Sequence, residues 1–392
     1  MKTNLQKNLA DWTYTKLGDL FNITSSKRVF QDEWTAEGVP FYRAREIVKL
    51  SENGFVENDL FISRKMFEEY KTKYGVPQEN DLLVTGVGTV GIVYRIIDRR
   101  EFYFKDGNII WFKSKGLASS AYIEQLYKSP ITKNKLLGSS PITTVATYTI
   151  DAAKRAVVHL PPLPEQNRIV SVLETWDQSI EKLTKKIEIK QQIKKGLMDR
   201  FVFNRKDSSE YFIEDLFDLG RGRVIARGEI EKNAGIYPVY SSQTSNDGIF
   251  GSIDTYDFDG EYLTWTTDGA HAGRVFYRNG KFNCTNVCGT VKLKSGLQVN
   301  LYFVFSYLNY VTKNYVSYVG NPKLMNGVFG RIEIRLPNYA EQNKISEMLA
   351  IADREIERLE KKLSVIKDQK KFLLNNLITG MIRTPETLSA KS

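Results

Sequence analysis

LPPLPEQNRIVSVLETWDQSIEKLTKK, residues 160–186, aligns without a gap on LPNYAEQNKISEMLAIADREIERLEKK, residues 336–362. Every identity falls at the same offset of 176: Glu165 with Glu341, Gln166 with Gln342, Asp177 with Asp353, Glu181 with Glu357, Leu183 with Leu359. Agreement over this length marks an internal repeat, and a repeat decides the architecture before any single element does. Apolar residues within each copy recur at alternating steps of four and three. In the first they are Ile169, Leu173, Trp176, Ile180, Leu183 and Ile187; in the second Ile345, Leu349, Ala352, Ile356, Leu359 and Leu363. That heptad seam predicts two helices packed as a coiled coil. A proline precedes each helix, acidic residues crowd the early turns and Lys-Lys pairs the late ones, as the helix dipole favours. At about 1.5 Å per residue, some 39 residues would span roughly 58 Å. Such helices can hold two domains apart, and an antiparallel pair would give the molecule a pseudo-twofold axis.

Outside these constant segments the repeat is weaker. KLGDLFNI (16–23) resembles IEDLFDLG (213–220), with Asp19 and Asp215 offset by 196; Gly91 and Gly273 are offset by 182, and the TKN triplets at Thr132 and Thr312 by 180. The drift puts extra residues into the first copy, mostly between Pro40 and Gly91. The predicted division is a variable domain over 1–163, a helix over 164–204, a second variable domain over 205–339, a second helix over 340–383, and a flexible tail over 384–392.

The stretch LLVTGVGTVGIVYRIID (82–98) has the G-x-G-x-x-G spacing of a dinucleotide loop at Gly86, Gly88 and Gly91, and Asp106 stands where a ribose-binding carboxylate would. Such a loop needs a helix immediately after its glycines, so that the pyrophosphate meets a helix N-terminus. Here IVYRIID and REFYFKD follow, with strand-like spacing, and the second copy keeps only Gly269 and Gly273. Strand, tight loop, strand is the expectation for both copies.

Composition removes further classes. The chain has 392 residues, 42% hydrophobic and 26% charged, with a formal net charge of +10, which suggests a polyanionic partner. Cys284 and Cys288 are the only cysteines and His159 and His271 the only histidines, too few for a zinc set; the cysteines are expected as small apolar strand positions. No apolar run is long enough to span a membrane and the N-terminus lacks a signal peptide, so a cytoplasmic protein is expected. Neither a Walker lysine loop nor G-x-S-x-G occurs, and LPPL at Leu160 and NPKL at Asn321 do not match the [DN]-P-P-[FYW] of amino-methyltransferases. A chain without catalysis of its own is the expectation.

Two variable domains, each followed by L-P-x-x-x-E-Q-N-[RK]-I and a lysine-rich heptad helix, resemble the DNA-specificity subunit of type I restriction-modification systems over nearly the whole chain. PVYSSQTSNDGIFGSID and TWTTDGAHAGRVFYRNGKFNCTNV look like target-recognition domains of that family. The resemblance implies an α+β architecture: two mixed α/β target-recognition domains separated by two long antiparallel coiled-coil helices. Each domain would read one half of an asymmetric bipartite duplex DNA target, and the helices would set the gap and dock two methylation subunits. Those subunits would use S-adenosylmethionine to methylate adenine; two restriction subunits would add ATP- and Mg-dependent translocation and cleavage. A methylation-only system and a coiled-coil scaffold without DNA affinity remain as rival readings.

Arg and Lys pair with guanine, Asn and Gln with adenine, Ser and Thr with either. The predicted DNA-contacting residues in the first domain are Lys27, Arg28, Arg43, Arg45, Thr85, Gly86, Gly88 and Thr89. In the second they are Arg221, Arg223, Ser241, Ser242, Gln243, Thr266, Thr267 and His271. In both copies a polar run follows a P-x-Y tripeptide (Pro40–Tyr42, Pro238–Tyr240) and the glycine loop then follows a strand; the glycines would let backbone approach DNA closely. Lys194, Lys195, Lys370 and Lys371 are either phosphate contacts or a solvated helix face.

Overall fold

The computed structural model describes residues 9–57, 60–138, 147–205, 207–243 and 245–388. The chain forms two compact units. The first joins Met1–Lys182 to Leu363–Ser392, and the second is Leu183–Lys362. Each contains one variable domain together with stretches of both long helices, so the helices are shared by the folding units instead of standing as domains of their own.

Among its described residues the first unit forms ten strands, β1 (Thr13–Lys16), β2 (Phe21–Thr24), β3 (Trp34–Thr35), β4 (Val39–Tyr42), β5 (Phe61–Ile62), β6 (Leu82–Thr85), β7 (Val93–Arg95), β8 (Tyr103–Phe104), β9 (Ile109–Ser114) and β10 (Val157–Leu160). Their orders are β2-β9-β6-β7, β3-β5-β4-β8 and β1-β10. The second unit contributes β11 (Ser209–Phe212), β12 (Phe217–Arg221), β13 (Ala234–Tyr240), β14 (Ile249–Ile253), β15 (Glu261–Thr266), β16 (Val275–Asn279), β17 (Asn283–Cys284), β18 (Cys288–Leu293) and β19 (Glu333–Leu336). Here the orders are β12-β18-β15-β16, β14-β13-β17 and β11-β19. The sheets correspond closely: β4 pairs parallel with β8 as β13 does with β17, and β1-β10 matches β11-β19. The extra residues of the first copy form helices Ala44–Asn53 and Arg64–Lys73 and the short β5 between them, where β14 stands in the second.

Apolar runs explain the central strands. In β6 (LLVT) all four residues are buried, as expected of a strand covered on both faces. In β18, Gly289 lies under the Trp265 indole, where a Cβ would come within 2.2 Å of the ring; only glycine lets that strand pass. Cys284 and Cys288 are free and buried in β17 and β18.

The first long helix runs Leu163–Met198 and continues as a π-helical turn, Asp199–Phe203. The second runs Tyr339–Ile378 and ends five residues earlier than the heptads predict, because Gly380 takes a left-handed φ of 71°. The expected flexible tail is corrected at its start, since Thr384 is buried and accepts a hydrogen bond from Arg168; residues 389–392 lie outside the described set. The two helices run antiparallel within each unit. In the first, Glu165 faces Arg383 and Asp177 faces Lys370; in the second, Glu341 faces Arg205 and Asp353 faces Lys194 at 2.5 Å. Asp177–Lys370 and Asp353–Lys194 are images at the same offset of 176. Ile169, Leu173, Leu183, Ile187, Ile345, Leu349 and Ile356 are buried; Trp176, Ile180, Ala352, Leu359 and Leu363 are half-buried. The helices also enter the domain cores: Ile169 and Leu173 cluster with Leu374, Leu377 and Ile378, and Ile345 and Leu349 with Met198 and Val202. Among the described residues no helix is long and apolar enough to cross a membrane.

Candidate nucleic-acid interface

One short segment in each unit gathers the loops that carry the predicted contacts. In the first unit it is Lys105–Asn108. The Lys105 amide donates to the Tyr42 carbonyl, the Gly86 amide to the Asn108 carbonyl, and the Gly107 amide to Ser25, while Arg28 pairs with Asp106 at 2.8 Å. In the second unit Thr285–Cys288 has the same role: Thr285 donates to the Tyr240 carbonyl, Thr267 to the Val287 carbonyl and Gly222 to the Cys288 carbonyl, and Arg223 bridges Thr285. The loop after β2 or β12, the segment after P-x-Y and the glycine loop therefore emerge together in both units. These hubs were missed in the sequence reading, although Lys105 and Thr285 share the offset of 180 that the TKN triplets display.

The glycine loop is a connection between β6 and β7, with no helix after it. Two of its glycine amides are engaged by the backbone, Gly91 donating to the Thr85 carbonyl and Gly86 to that of Asn108, and a Cβ on Gly86 would meet the Tyr148 carbonyl at 2.7 Å. In the second unit the loop is covered by another segment, Gly269 donating to the Pro322 carbonyl and Leu324 to that of Thr267.

Several predicted contacts need correction. Thr85 is buried, its hydroxyl donating to the Thr89 carbonyl and accepting from the Ile92 amide at 2.9 Å. Thr266 and Thr267 are buried as well, the Thr267 hydroxyl bonding Val287 and Asp268, and Gly86 is buried beneath Tyr148. These four build the loop and have no surface to offer a base. Gly88, Thr89, Lys27, Arg28, Arg45, Arg221, Arg223 and His271 are exposed, and Arg43, Ser241, Ser242 and Gln243 half-buried. Arg43 and Arg45 are both tied to the buried Glu46 carboxylate. Arg223 bonds Glu229 at 2.7 Å and Asp257 at 3.0 Å; the Glu229 carboxylate raises its already high pKa, and both carboxylates offset its charge. Lys194 and Lys370 are engaged in the helix ion pairs, while Lys195 and Lys371 are exposed.

The repeated Glu-Gln pair joins domain to helix. Gln166 is buried; its side-chain oxygen accepts the Ser119 amide at 2.9 Å, and its nitrogen donates to the Pro161 carbonyl at 2.9 Å. Gln342 does the same with Asn300 at 2.9 Å and Pro337 at 2.8 Å. Ser119 and Asn300 are the N-caps of helices Ser120–Lys128 and Leu301–Val311, so one side chain fixes a domain helix against the start of a long helix. Glu165 beside it binds Arg383, which also holds Asp11; Glu341 binds Arg205, which also holds Asp207. The hydrogen bonds from these arginines hold the Asp11 and Asp207 carboxyls below their ordinary pKa.

Among the described residues no group of three or more His, Cys, Asp or Glu side chains could hold a metal. Burial pushes the Cys288 thiol up to about 11 and raises Cys284 further, which makes both poor nucleophiles.

Two domains of one topology, each presenting polar and cationic loops around a hub and each clipped to a long helix, define a tandem sequence-recognition protein. The model of the type I restriction modification DNA specificity domain matches residues 10–191 and again 205–368, and this chain belongs to that family, with two target-recognition domains. The specificity subunit of the MpnII type I restriction enzyme of Mycoplasma pneumoniae is 42% identical over 35% of this chain and 41% of its own length. The N-terminal part of another type I specificity subunit from the same organism is 46% identical over 36% of this chain and 74% of that sequence. A further one is 42% identical, matched over 44% of its length, so this chain spans less than half of some curated relatives it matches. Among solved structures, the S subunit of a type I system from M. genitalium superposes with a TM-score of 0.63 over 93% of this chain and 96% of that one, at 17% identity; at that identity the likeness is one of fold.

Proposed function

We propose that the two target-recognition domains read the two halves of an asymmetric bipartite duplex DNA sequence, and that the paired helices fix the gap between the halves and dock two methylation subunits. The observation that carries this reading is the hub repeated in both units, which gathers loops of different sequence onto one common frame. A common frame with different side chains is what two distinct half-sites require. Phosphate contacts from exposed lysines and arginines would position the duplex and loop side chains would choose bases. The chain itself supplies no chemistry in this reading. S-adenosylmethionine and adenine methylation belong to the methylation subunits, and ATP, Mg and cleavage to two restriction subunits, with the whole assembly in the cytoplasm.

The test is to co-express the chain with its cognate methylation subunit and map methylated adenines by long-read sequencing. A single asymmetric bipartite motif with a fixed gap is expected, and exchange of residues 205–339 for those of a relative should alter one half only. A stable complex that leaves no bipartite motif would refute the proposal.

A further inference from the structure

The segments after the two P-x-Y strands are held by buried charges of opposite sign. In the first unit the buried anion Glu46 accepts from Arg43 and from Arg45, whose side chain is 58% exposed. In the second the buried group is a cation. Arg278 is 3% exposed, with its guanidinium 3.6 Å from the Tyr240 ring centroid and 4.5 Å from that of Phe276. It bonds the Asp247 carboxylate at 2.5 Å and the Asp247 carbonyl at 2.8 Å. The position matching Arg278 at the offset of the glycine loops is Ile96, a buried apolar residue, so this cation is peculiar to the second domain.

Asp247 itself is 68% exposed. Asn246, Asp247 and Gly248 all have left-handed φ angles, of 50°, 52° and 81°, a run that residues with a side chain adopt only when their surroundings impose it. The Arg278 contacts and the Ser241 amide bonding the Gly248 carbonyl impose it here. The second carboxylate oxygen of Asp247, Oδ1, has no hydrogen-bond partner among the described residues. An unpaired carboxylate would be repelled by a phosphate backbone. One whose charge is offset by a buried guanidinium can approach a groove and still accept a hydrogen bond.

We propose that Asp247, oriented by Arg278, is a specificity-determining residue of the second domain that accepts a hydrogen bond from the exocyclic N4 amino group of a cytosine in the major groove. Acidic side chains read cytosine in this way, whereas the arginines held on Glu46 suit the guanine acceptors O6 and N7. The two domains thus present chemically opposite readers in the segments that follow their P-x-Y strands. This inference rests on the proposed DNA-reading function.

The experiment compares wild type, D247N and D247A, each as the full chain with its methylation subunit, by genome-wide mapping of methylated adenines. Wild type should place a cytosine at one position of the second half-site. D247N exchanges one acceptor oxygen for a donor and should shift that position towards adenine, the base that an amide side chain pairs. D247A should methylate sites with any base there, with discrimination reduced about 10-fold or more, and the first half-site should stay unchanged in both variants. A role confined to holding the loop would lower affinity without changing the preferred base, so active variants with the wild-type motif would overturn the proposal. Should a variant complex fail to methylate, selection of bound duplexes from a library randomised in the second half-site reads the same preference, and an unchanged preference there overturns it too. Absence of any motif from the wild-type complex refutes the DNA-reading function itself, a result distinct from both.

Discussion

Replacing Gln166 by alanine removes two hydrogen bonds of 2.9 Å and strands the Ser119 amide and the buried Pro161 carbonyl. An unsatisfied buried group costs about 1–3 kcal/mol. Ser119 is only half-buried and recovers part of its loss from water, so the total expected is about 3 kcal/mol, roughly a 150-fold shift in the local opening equilibrium. Q342A removes the matching pair from Asn300 and Pro337, with Asn300 equally half-buried, and should cost the same within about 1 kcal/mol. Urea unfolding separates the two units, since Trp12, Trp34, Trp111 and Trp176 belong to the first and Trp265 to the second. Hydrogen exchange locates the effect. Q166A should speed exchange in the first turn of helix Ser120–Lys128, and Q342A in that of Leu301–Val311. The isosteric Q166E keeps an acceptor for Ser119 but sets a carboxylate oxygen against the Pro161 carbonyl, so it should be at least as harmful as Q166A. Stability within about 0.5 kcal/mol of wild type for Q166A, or wild-type behaviour of Q166E, would refute the argument that this side chain joins domain to helix through hydrogen bonds.

G289A should destabilise the second unit by about 1–3 kcal/mol or more, because its Cβ would lie 2.2 Å from the Trp265 ring; an unchanged urea midpoint read from Trp265 fluorescence would contradict this. Neither cysteine should react with a thiol reagent at pH 8 in the native chain and both should in denaturant, since with the Cys288 thiol pushed up to about 11 the thiolate fraction is on the order of 10⁻³. Burial lowers the pKa of His159 below its ordinary value of 6.5. The unfolded chain therefore binds the proton first, and stability that is full above pH 6.5 declines as pH falls through the folded-state value. An NMR titration of its imidazole with a midpoint at or above 6.5 would exclude that shift.

The constant segments could be read in advance because their signal is local. Heptad spacing and the 176-residue offset need only neighbours along the chain, and they located Ile169 and Leu173 as buried and Asp177 and Asp353 as equivalent. The strand after Gly91 was legible for the same reason, its β-branched and aromatic residues ruling out a helix within a few positions. Which side chains of the recognition loops are free to meet DNA was not legible. Thr85, Thr266 and Thr267 have the composition of base contacts, yet they are buried by segments distant in sequence, Tyr148 near Gly86 and Pro322–Leu324 over Thr267. Lys105 and Thr285 became hubs only when parallel pairing brought them beside Tyr42 and Tyr240. Glu46 and Arg278 look like ordinary surface charges in the sequence, and only the packing around them shows that each is buried and holds a partner outward. Periodicity records which face of an element is apolar; what covers that face, and hence which polar atoms stay exposed, is decided by contacts that the chain makes only once it has folded.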